Sequence, residues 1–245
     1  MVSRIQTSIP GLDKLIQGGL PKSSITLVSG TPGTGKSILC AQILYHNALQ
    51  GKKCLYLNLE QNEGRLESQM QQFGWKPEKL KNLKIIGVDS SDPNLVEYIL
   101  KEIQKTRYDL IVLDSLDSIS SNPLTLEEVN QKSLQQIAEF TIPTMLDSPT
   151  IGRLKLKKIF SAIAKSKATA LLTSEKVEGT EGFSRDTISE FLCDGIVLLN
   201  YVEIGITDYR SLIVRKLRNS NHTKDVVPFN ITNKGIEIIK KQKND

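Results

Sequence analysis

The chain has 245 residues, of which 39% are hydrophobic, and this is enough apolar material to bury a full core and to exclude a disordered chain. The formal net charge of +5 permits contact with a nucleotide, a nucleic acid or an acidic protein, without choosing among them. The three cysteines, Cys40, Cys54 and Cys193, lie far apart without CxxC spacing, which excludes a disulfide framework and a cysteine zinc site.

Short apolar runs alternate along the chain with segments of helical period. Residues 37–50, 63–73 and 94–106 have helical spacing, and in the last of them Leu95, Ile99 and Ile103 recur every four residues on one face. The runs that predict buried strands are SITLVSG ending at Gly30, CLYLNLE at 54–60, LKIIGVD at 83–89, YDLIVLD ending at Asp114, ATALLTSE ending at Glu175, and GIVLLNYV at 195–202. This alternation predicts an α/β fold with a mostly parallel central sheet flanked by helices.

The pattern changes after residue 200. RSLIVRKLR, VVPFNIT and GIEIIKK read as short strands joined by turns, which predicts antiparallel C-terminal hairpins that extend the sheet. We predict one domain over residues 1–240 and a disordered tail at 241–245. Residues 118–152 form a long inserted connection with one predicted helix near 126–140, and we interpret it as a lid or a packing helix.

Neither a membrane segment nor a leader is evident in the sequence. The longest apolar stretches are far shorter than the ~20 residues that span a bilayer, and the N-terminus has no charged segment followed by an apolar one. The cysteine usage is typical of a reducing compartment. We therefore expect a cytoplasmic protein without membrane association.

A phosphate-binding motif follows the first long strand. GTPGTGKS matches GxxxxGK[ST] and stands between a predicted strand and a predicted helix. Its glycines let backbone N–H groups face phosphates, Lys36 neutralises the β and γ oxygens, and the Ser37 hydroxyl binds Mg²⁺. The predicted nucleotide-binding segment consists of Gly30, Thr31, Pro32, Gly33, Thr34, Gly35, Lys36, Ser37 and Ile38.

Other polar residues end strands at the same edge of the predicted sheet. Asp114 follows four apolar residues, as a Walker B carboxylate does, and we predict that it supports Mg²⁺. Glu60 ends the second long strand, where it can orient or deprotonate the attacking water. Thr173 and Ser174 end another strand, and we predict that their hydroxyls contact the γ-phosphate, although such residues also cap turns.

With these motifs in order, the chain resembles the KaiC-type branch of the RecA-like P-loop ATPases. The resemblance begins with TSIPGLDKLIQGGLPKSSITLVSGTPGTGKS and continues through LNLEQNEGRLESQMQQFGW, YDLIVLDSLDSI, ALLTSE and EFLCDGIVLL. It implies a RecA-like NTPase core, ATP and Mg²⁺ as cofactors, and Glu60 as the catalytic glutamate. Family members commonly have a second glutamate at the next position, where this chain has Gln61, so rate and regulation can differ.

The resemblance extends to a basic hairpin near the C-terminus. In this family a Lys-x-Arg-x-x-x-His pattern reaches a neighbouring subunit's nucleotide, and here it falls on Lys216, Arg218 and His222. On a strand Lys216 and Arg218 share a face about 6.6 Å apart, with Arg215 facing the opposite way. An arginine finger is worth roughly 10³ to 10⁵ in rate. The resemblance therefore implies a homo-oligomer, either a ring or a short filament, with an additional protein partner whose identity the sequence does not indicate.

Two other functions share this machinery. One is an ATP-switched single-stranded DNA-binding protein of the recombinase-paralogue type, and the other is a KaiC-like kinase. The loops that contact DNA in recombinases have the wrong charge here, since residues 120–150 and 174–188 are both net acidic. Basic residues gather instead at 153–167, where Leu156, Ile159, Phe160 and Ile163 predict a core stripe and Lys157, Lys158 and Lys165 lie outside it.

Overall fold

The computed structural model describes residues 2–60, 63–122, 148–204 and 207–239, with backbone alone at 63, 148–151, 202–204 and 207–208. The helix predicted near 126–140 and the predicted tail at 241–245 lie outside these residues. The strands are β1 (Arg4–Ile5), β2 (Leu20–Pro21), β3 (Ile25–Gly30), β4 (Cys54–Asn58), β5 (Leu83–Gly87), β6 (Leu110–Asp114), β7 (Thr169–Glu175), β8 (Gly195–Ile204), β9 (Thr207–Leu217), β10 (Val227–Thr232) and β11 (Gly235–Ile238).

Seven α-helices are present among the described residues. They are α1 (Leu12–Leu15), α2 (Lys36–Leu49), α3 (Glu63–Gln72), α4 (Leu95–Lys105), α5 (Leu116–Ser120), α6 (Ser148–Ser166) and α7 (Ser189–Leu192). The first of the predicted long helices, α2, begins at Lys36 of the phosphate-binding motif. The long connection after β6 therefore begins with the short α5 and ends in the long α6.

One sheet organises the fold, in the order β11-β10-β9-β8-β3-β7-β6-β4-β5. β3 lies in the interior, with β8 and β7 parallel to it on either side, and β6, β4 and β5 continue the parallel part. β9, β10 and β11 are antiparallel. The α/β prediction with antiparallel C-terminal strands is confirmed.

The strands are apolar on both faces because helices cover both. On β6, Leu110 and Val112 pack into the layer formed with α2 and α3, whereas Ile111 and Leu113 pack into the layer formed with α4 and α6. This alternation follows from the two-residue period of a strand. The predicted helix stripes lie in the second layer, and all of their members are buried: Leu95, Ile99, Ile103, Leu156, Ile159, Phe160 and Ile163.

Parallel pairing brings the predicted functional residues to one edge. In the register of the sheet Gly30 pairs with Glu175, and Asn58 pairs with Asp114. The carboxyl ends of β3, β4, β6 and β7 therefore meet, which is where ligands bind in open α/β sheets. α2 begins at the same edge and directs its free N–H groups towards it.

Candidate nucleotide-binding site

The segment between β3 and α2 has the conformation of a phosphate-binding loop. Gly33 and Gly35 adopt φ of 79° and 103°, in the left-handed region that favours glycine. The Lys36 ammonium donates to the carbonyl oxygens of Gly30 and Thr31 at 2.9 and 3.2 Å, so it lies folded across the loop. A cation and the first N–H groups of a 14-residue helix thus point to one place, which suits a polyphosphate.

A cavity of about 600 Å³ opens above this loop. Such a volume lies within the range of small-molecule sites. Its lining residues are Pro32, Gly33, Gly35, Lys36, Ser37, Ile38, Glu60, Gln69, Glu175, Arg210 and Ile231. The motif and Glu60 therefore surround one space.

Asp114 lies buried beside this space, at 5% exposure. The Tyr56 hydroxyl donates to Asp114 Oδ2 at 2.6 Å, and the Thr173 hydroxyl donates to Oδ1. Burial next to this carboxylate raises the pKa of Tyr56, so the phenol keeps its proton and acts as the donor. Both carboxylate oxygens are thus fixed by hydrogen bonds.

The predicted magnesium ligands fit that ion's chemistry. Ser37 and Asp114 are oxygen donors from α2 and β6, and Mg²⁺ prefers one or two protein oxygens together with the substrate's phosphates. Within the described ranges no group of three or more His, Cys, Asp or Glu side chains is placed to hold a metal by itself. The assignment of Ser37 and Asp114 to Mg²⁺ remains a prediction.

Glu60 lies just past the end of β4 and is exposed to the cavity. The Ser115 hydroxyl donates a hydrogen bond to Glu60 Oε1. Ser115 directly follows the Walker B residue, so the sheet positions the predicted base through its neighbouring strand. The role of Glu60 in catalysis stays a prediction.

The hydroxyls of the two predicted phosphate sensors donate hydrogen bonds to carboxylates. Thr173 and Ser174 are both fully buried; Thr173 donates to Asp114 as described, and the Ser174 hydroxyl donates to Asp117 Oδ1 at 2.9 Å. The Glu175 amide donates to Asp117 Oδ2 at 2.7 Å. Burial raises the pKa of Asp117 to about 6, against the effect of these two hydrogen bonds. Contact of Thr173 and Ser174 with a γ-phosphate stays a prediction.

The basic hairpin lies at the level where β3 and β8 begin, whereas the phosphate-binding loop lies where β3 ends. Leu217 pairs with Gly195 at the start of β8, and Gly195 is level with Thr26, four residues before Gly30. Four strand residues, or about 13 Å, therefore separate the level of Leu217 from the end of β3 at Gly30. Lys216 and Arg218 therefore do not lie in their own chain's cavity.

The expected orientation of Arg215 is wrong. A bulge at Ile196 and Val197 interrupts the pairing of β8 with β9, so two consecutive residues of β9 face the same way. The Arg215 guanidinium lies 5.8 Å from the centre of the Phe183 ring, while the Lys216 ammonium donates to the carbonyls of Glu190 and Cys193 in the same 183–193 segment. The hairpin thus carries Arg215 on the same side as Lys216 and Arg218.

Arg218 and His222 are held near this edge by local contacts. Arg218 forms an ion pair with Asp194 at 3.3 Å, and its side chain stays 60% exposed. His222 Nδ1 lies 2.8 Å from the Thr223 carbonyl oxygen. The Thr223 amide donates to the Leu15 carbonyl at 2.9 Å, which docks the turn on α1. The turn therefore presents Arg218 and His222 from a fixed support.

Two residues that no sequence motif indicates approach the cavity from β8 and β9. The Tyr201 hydroxyl donates to the Gly33 carbonyl at 2.8 Å, and Arg210, opposite Tyr201 in the hairpin, donates to that hydroxyl at 3.2 Å. Arg210 Nε is buried without a hydrogen-bond partner in the described structure. These residues belong to no motif, and only the β8–β9 register places them beside the loop, so neither spacing nor composition signals them.

The basic segment at 153–167 also differs from expectation in one respect. Lys157, Lys158 and Lys165 are exposed on α6 as predicted, but Lys155 is only 2% exposed. Its ammonium donates to the side-chain oxygen and the backbone carbonyl of Asn122 at 2.8 and 3.2 Å. Lys155 therefore anchors the segment after α5 and adds nothing to a nucleic-acid surface.

The chain is similar to known proteins over nearly its whole length. The family profile described as "ATPase: KaiC" matches residues 5–243. A UPF0273 protein of Thermotoga maritima is 32% identical over 97% of this chain and 96% of its own length, and one of Pyrococcus furiosus is 30% identical over 97% and 94%. The crystal structure of a KaiC-like protein of Pyrococcus horikoshii has a TM-score of 0.80 and 27% identity, covering 98% of this chain and 100% of that one.

Proposed function

Because the chain belongs to the KaiC family of ATPases, as its sequence resemblance indicated, we propose that it binds ATP with Mg²⁺ and hydrolyses it within an assembly of identical subunits. The observation that supports this most strongly is the meeting of Lys36, Glu60 and Asp114 at one sheet edge. The loop supplies N–H groups and a cation for phosphates, while Ser37 and Asp114 supply oxygens for the ion. Bound Mg²⁺ neutralises charge on the β- and γ-phosphates.

The chain's own residues divide the remaining work. Glu60, held by Ser115, accepts a proton from the attacking water or orients it towards the γ-phosphorus. Lys36 lies over the loop and moves from its backbone partners to the phosphate oxygens. Arg210 lines the same cavity, with a buried Nε that lacks a partner in the described structure, and is a further candidate for contact with the nucleotide.

The position of the basic hairpin supports the proposed assembly. Lys216 and Arg218 lie at the sheet edge away from their own cavity, and we propose that they act on a neighbour's nucleotide. The Arg218–Asp194 pair does not oppose this strongly, because an exposed ion pair contributes about 0 to 1 kcal/mol. A neighbour's γ-phosphate can therefore replace Asp194 as the partner of Arg218.

Binding of single-stranded DNA is a second candidate, favoured only by the exposed lysines of α6. The segment after β7 contains an ion pair between Arg185 and Glu175 at 3.1 Å, so one of its two cations is already paired with an acid. An acidic loop repels phosphates. We therefore place this function, and phosphorylation of a protein, behind ATP hydrolysis.

Among the described residues no helix has the length and apolar composition needed to cross a bilayer.

ATP turnover by the wild-type chain and by Lys36→Ala tests the proposal. We expect turnover in the presence of Mg²⁺ for the wild type and its loss in the variant, since the variant lacks the cation that neutralises the phosphates. Lys158→Ala, an exposed lysine on α6, is the matched control and should retain turnover. Equal turnover by Lys36→Ala would contradict the proposal, and stimulation of the wild type by single-stranded DNA would favour the second candidate.

A further inference from the structure

A tyrosine hydroxyl lies in the interior of the parallel sheet. Tyr56 is the third residue of β4 and is fully buried, between Leu55 and Leu57. A buried hydroxyl without a partner costs roughly 1 to 3 kcal/mol. The partner here is Asp114, whose Oδ2 accepts the phenol's hydrogen bond at 2.6 Å. The polar atom of Tyr56 is therefore directed at the residue that we assign to Mg²⁺.

The register of the sheet explains how one side chain reaches this site. Tyr56 pairs with Val112 across β4 and β6, two residues before Asp114 on β6. Residues two apart on a strand share a face, so Tyr56 and Asp114 both lie on the α2 side of the sheet. The ring extends along that face from the strand interior to its carboxyl end.

The second predicted magnesium ligand lies near the same phenol. Ser37, in the first turn of α2, is close enough to lower the pKa of Tyr56, against the larger effects of burial and of Asp114. One phenol thus lies between a hydroxyl on α2 and a carboxylate on β6, the two side chains that must converge on one ion. Thr173 of β7 holds the other oxygen of Asp114.

We propose that Tyr56 is a positioning residue of the magnesium site, holding Asp114 in a fixed orientation beside Ser37. This inference rests on the proposed function. Loss of the phenol hydroxyl leaves one oxygen of a buried carboxylate without its donor and frees the carboxylate to turn. Outer partners of metal ligands typically change metal affinity by about 10- to 100-fold when they are removed.

Tyr56→Phe tests this role, because it removes one oxygen atom and preserves the ring. Tyr108→Phe is the matched control: Tyr108 is also buried, and its hydroxyl donates to a carboxylate oxygen, Glu102 Oε1, at 2.8 Å, away from the cavity. Equilibrium binding of radiolabelled ATP is measured in EDTA and across a Mg²⁺ titration, together with the melting temperature of each variant.

In Tyr56→Phe we expect the Mg²⁺ concentration for half-maximal enhancement of ATP binding to rise about 10-fold or more, with binding in EDTA unchanged. Tyr108→Phe should follow the wild type in both, although both variants lose some thermal stability. An unchanged Mg²⁺ titration for Tyr56→Phe, or an equal shift for Tyr108→Phe, would overturn the inference alone. A wild-type chain whose ATP binding Mg²⁺ does not enhance would overturn the proposed function with it.

Discussion

Glu60 illustrates how a single residue takes its position from a neighbouring strand. It stands two residues past the end of β4, and its carboxylate accepts a hydrogen bond from Ser115, the residue after Asp114 on β6. The predicted base, Glu60, is therefore connected to the predicted magnesium ligand, Asp114, through the Ser115 hydrogen bond and one peptide unit. Gln61 follows Glu60 and has no carboxylate, so Glu60 is the predicted base of this pair of residues.

Glu60→Gln separates nucleotide binding from hydrolysis. The amide preserves the size of the side chain and can still receive the Ser115 hydrogen bond, but it cannot take a proton. We expect ATP to remain bound while turnover falls by about 100-fold or more, in the range of general base catalysis. Single-turnover measurements with bound ATP check this. Glu97→Gln, an exposed glutamate on α4, is the control, and undiminished turnover by Glu60→Gln would remove Glu60 from the role of base.

At the scale of elements, Asp117 connects two segments at the carboxyl edge of the sheet. It lies in the short helix α5 after Asp114, and it accepts hydrogen bonds from the Ser174 hydroxyl and the Glu175 amide at the end of β7. The Ser174 hydroxyl in turn accepts from the Arg185 amide at 3.2 Å. The segment after Walker B is thus connected to the segment after β7, which leads towards the basic hairpin.

This connection predicts a pH dependence of stability. Burial raises the pKa of Asp117 from 3.8 to about 6, so the folded chain keeps a proton that the unfolded chain releases at lower pH. The group's contribution to stability is therefore present below about pH 4 and is lost as the pH rises through 6. At 1.36 kcal/mol per pKa unit the full loss is on the order of 3 kcal/mol.

Asp117→Asn should remove this loss. The free energy of unfolding of the variant relative to the wild type should therefore rise between about pH 4 and pH 6, as measured by denaturant titration at several pH values. Asp89→Asn is the control, because hydrogen bonds from Ser91 lower the pKa of Asp89, and its difference curve should change only below about pH 4. Parallel curves for Asp117→Asn and the wild type would contradict the prediction.

At the scale of the whole molecule, the sheet separates the phosphate-binding loop from the basic hairpin. The phosphate-binding loop lies at the carboxyl end of β3, and the basic hairpin lies beside the start of β8. We therefore propose a ring or short filament in which one subunit's hairpin faces the next subunit's cavity.

Mixing two inactive variants tests this arrangement. Lys36→Ala subunits retain a hairpin, and Arg218→Ala subunits retain a phosphate-binding loop, so we expect mixtures to recover part of the ATP turnover that each variant lacks. Light scattering with ATP establishes the mass and shows that the variants assemble together. Arg107→Ala, an exposed arginine outside the hairpin, should behave as the wild type in such mixtures. Absence of recovery in assembled mixtures would contradict action of Arg218 on a neighbour.

Much of this protein was predictable from the sequence because the signals are local. The glycine spacing of residues 30–37, the apolar runs and the strand-end positions of Glu60 and Asp114 depend on backbone conformation and periodicity, which nearby residues determine. The tertiary structure alone placed Arg210 at the cavity, because strand register is set by partners distant in the chain. Only the tertiary structure shows that a bulge reverses the direction of Arg215, that Lys155 is buried against Asn122, and that the Tyr56 hydroxyl contacts Asp114. Each of these outcomes depends on which side chains meet across elements, and burial favours arrangements in which enclosed polar atoms find hydrogen-bond partners, as Tyr56 and Lys155 do.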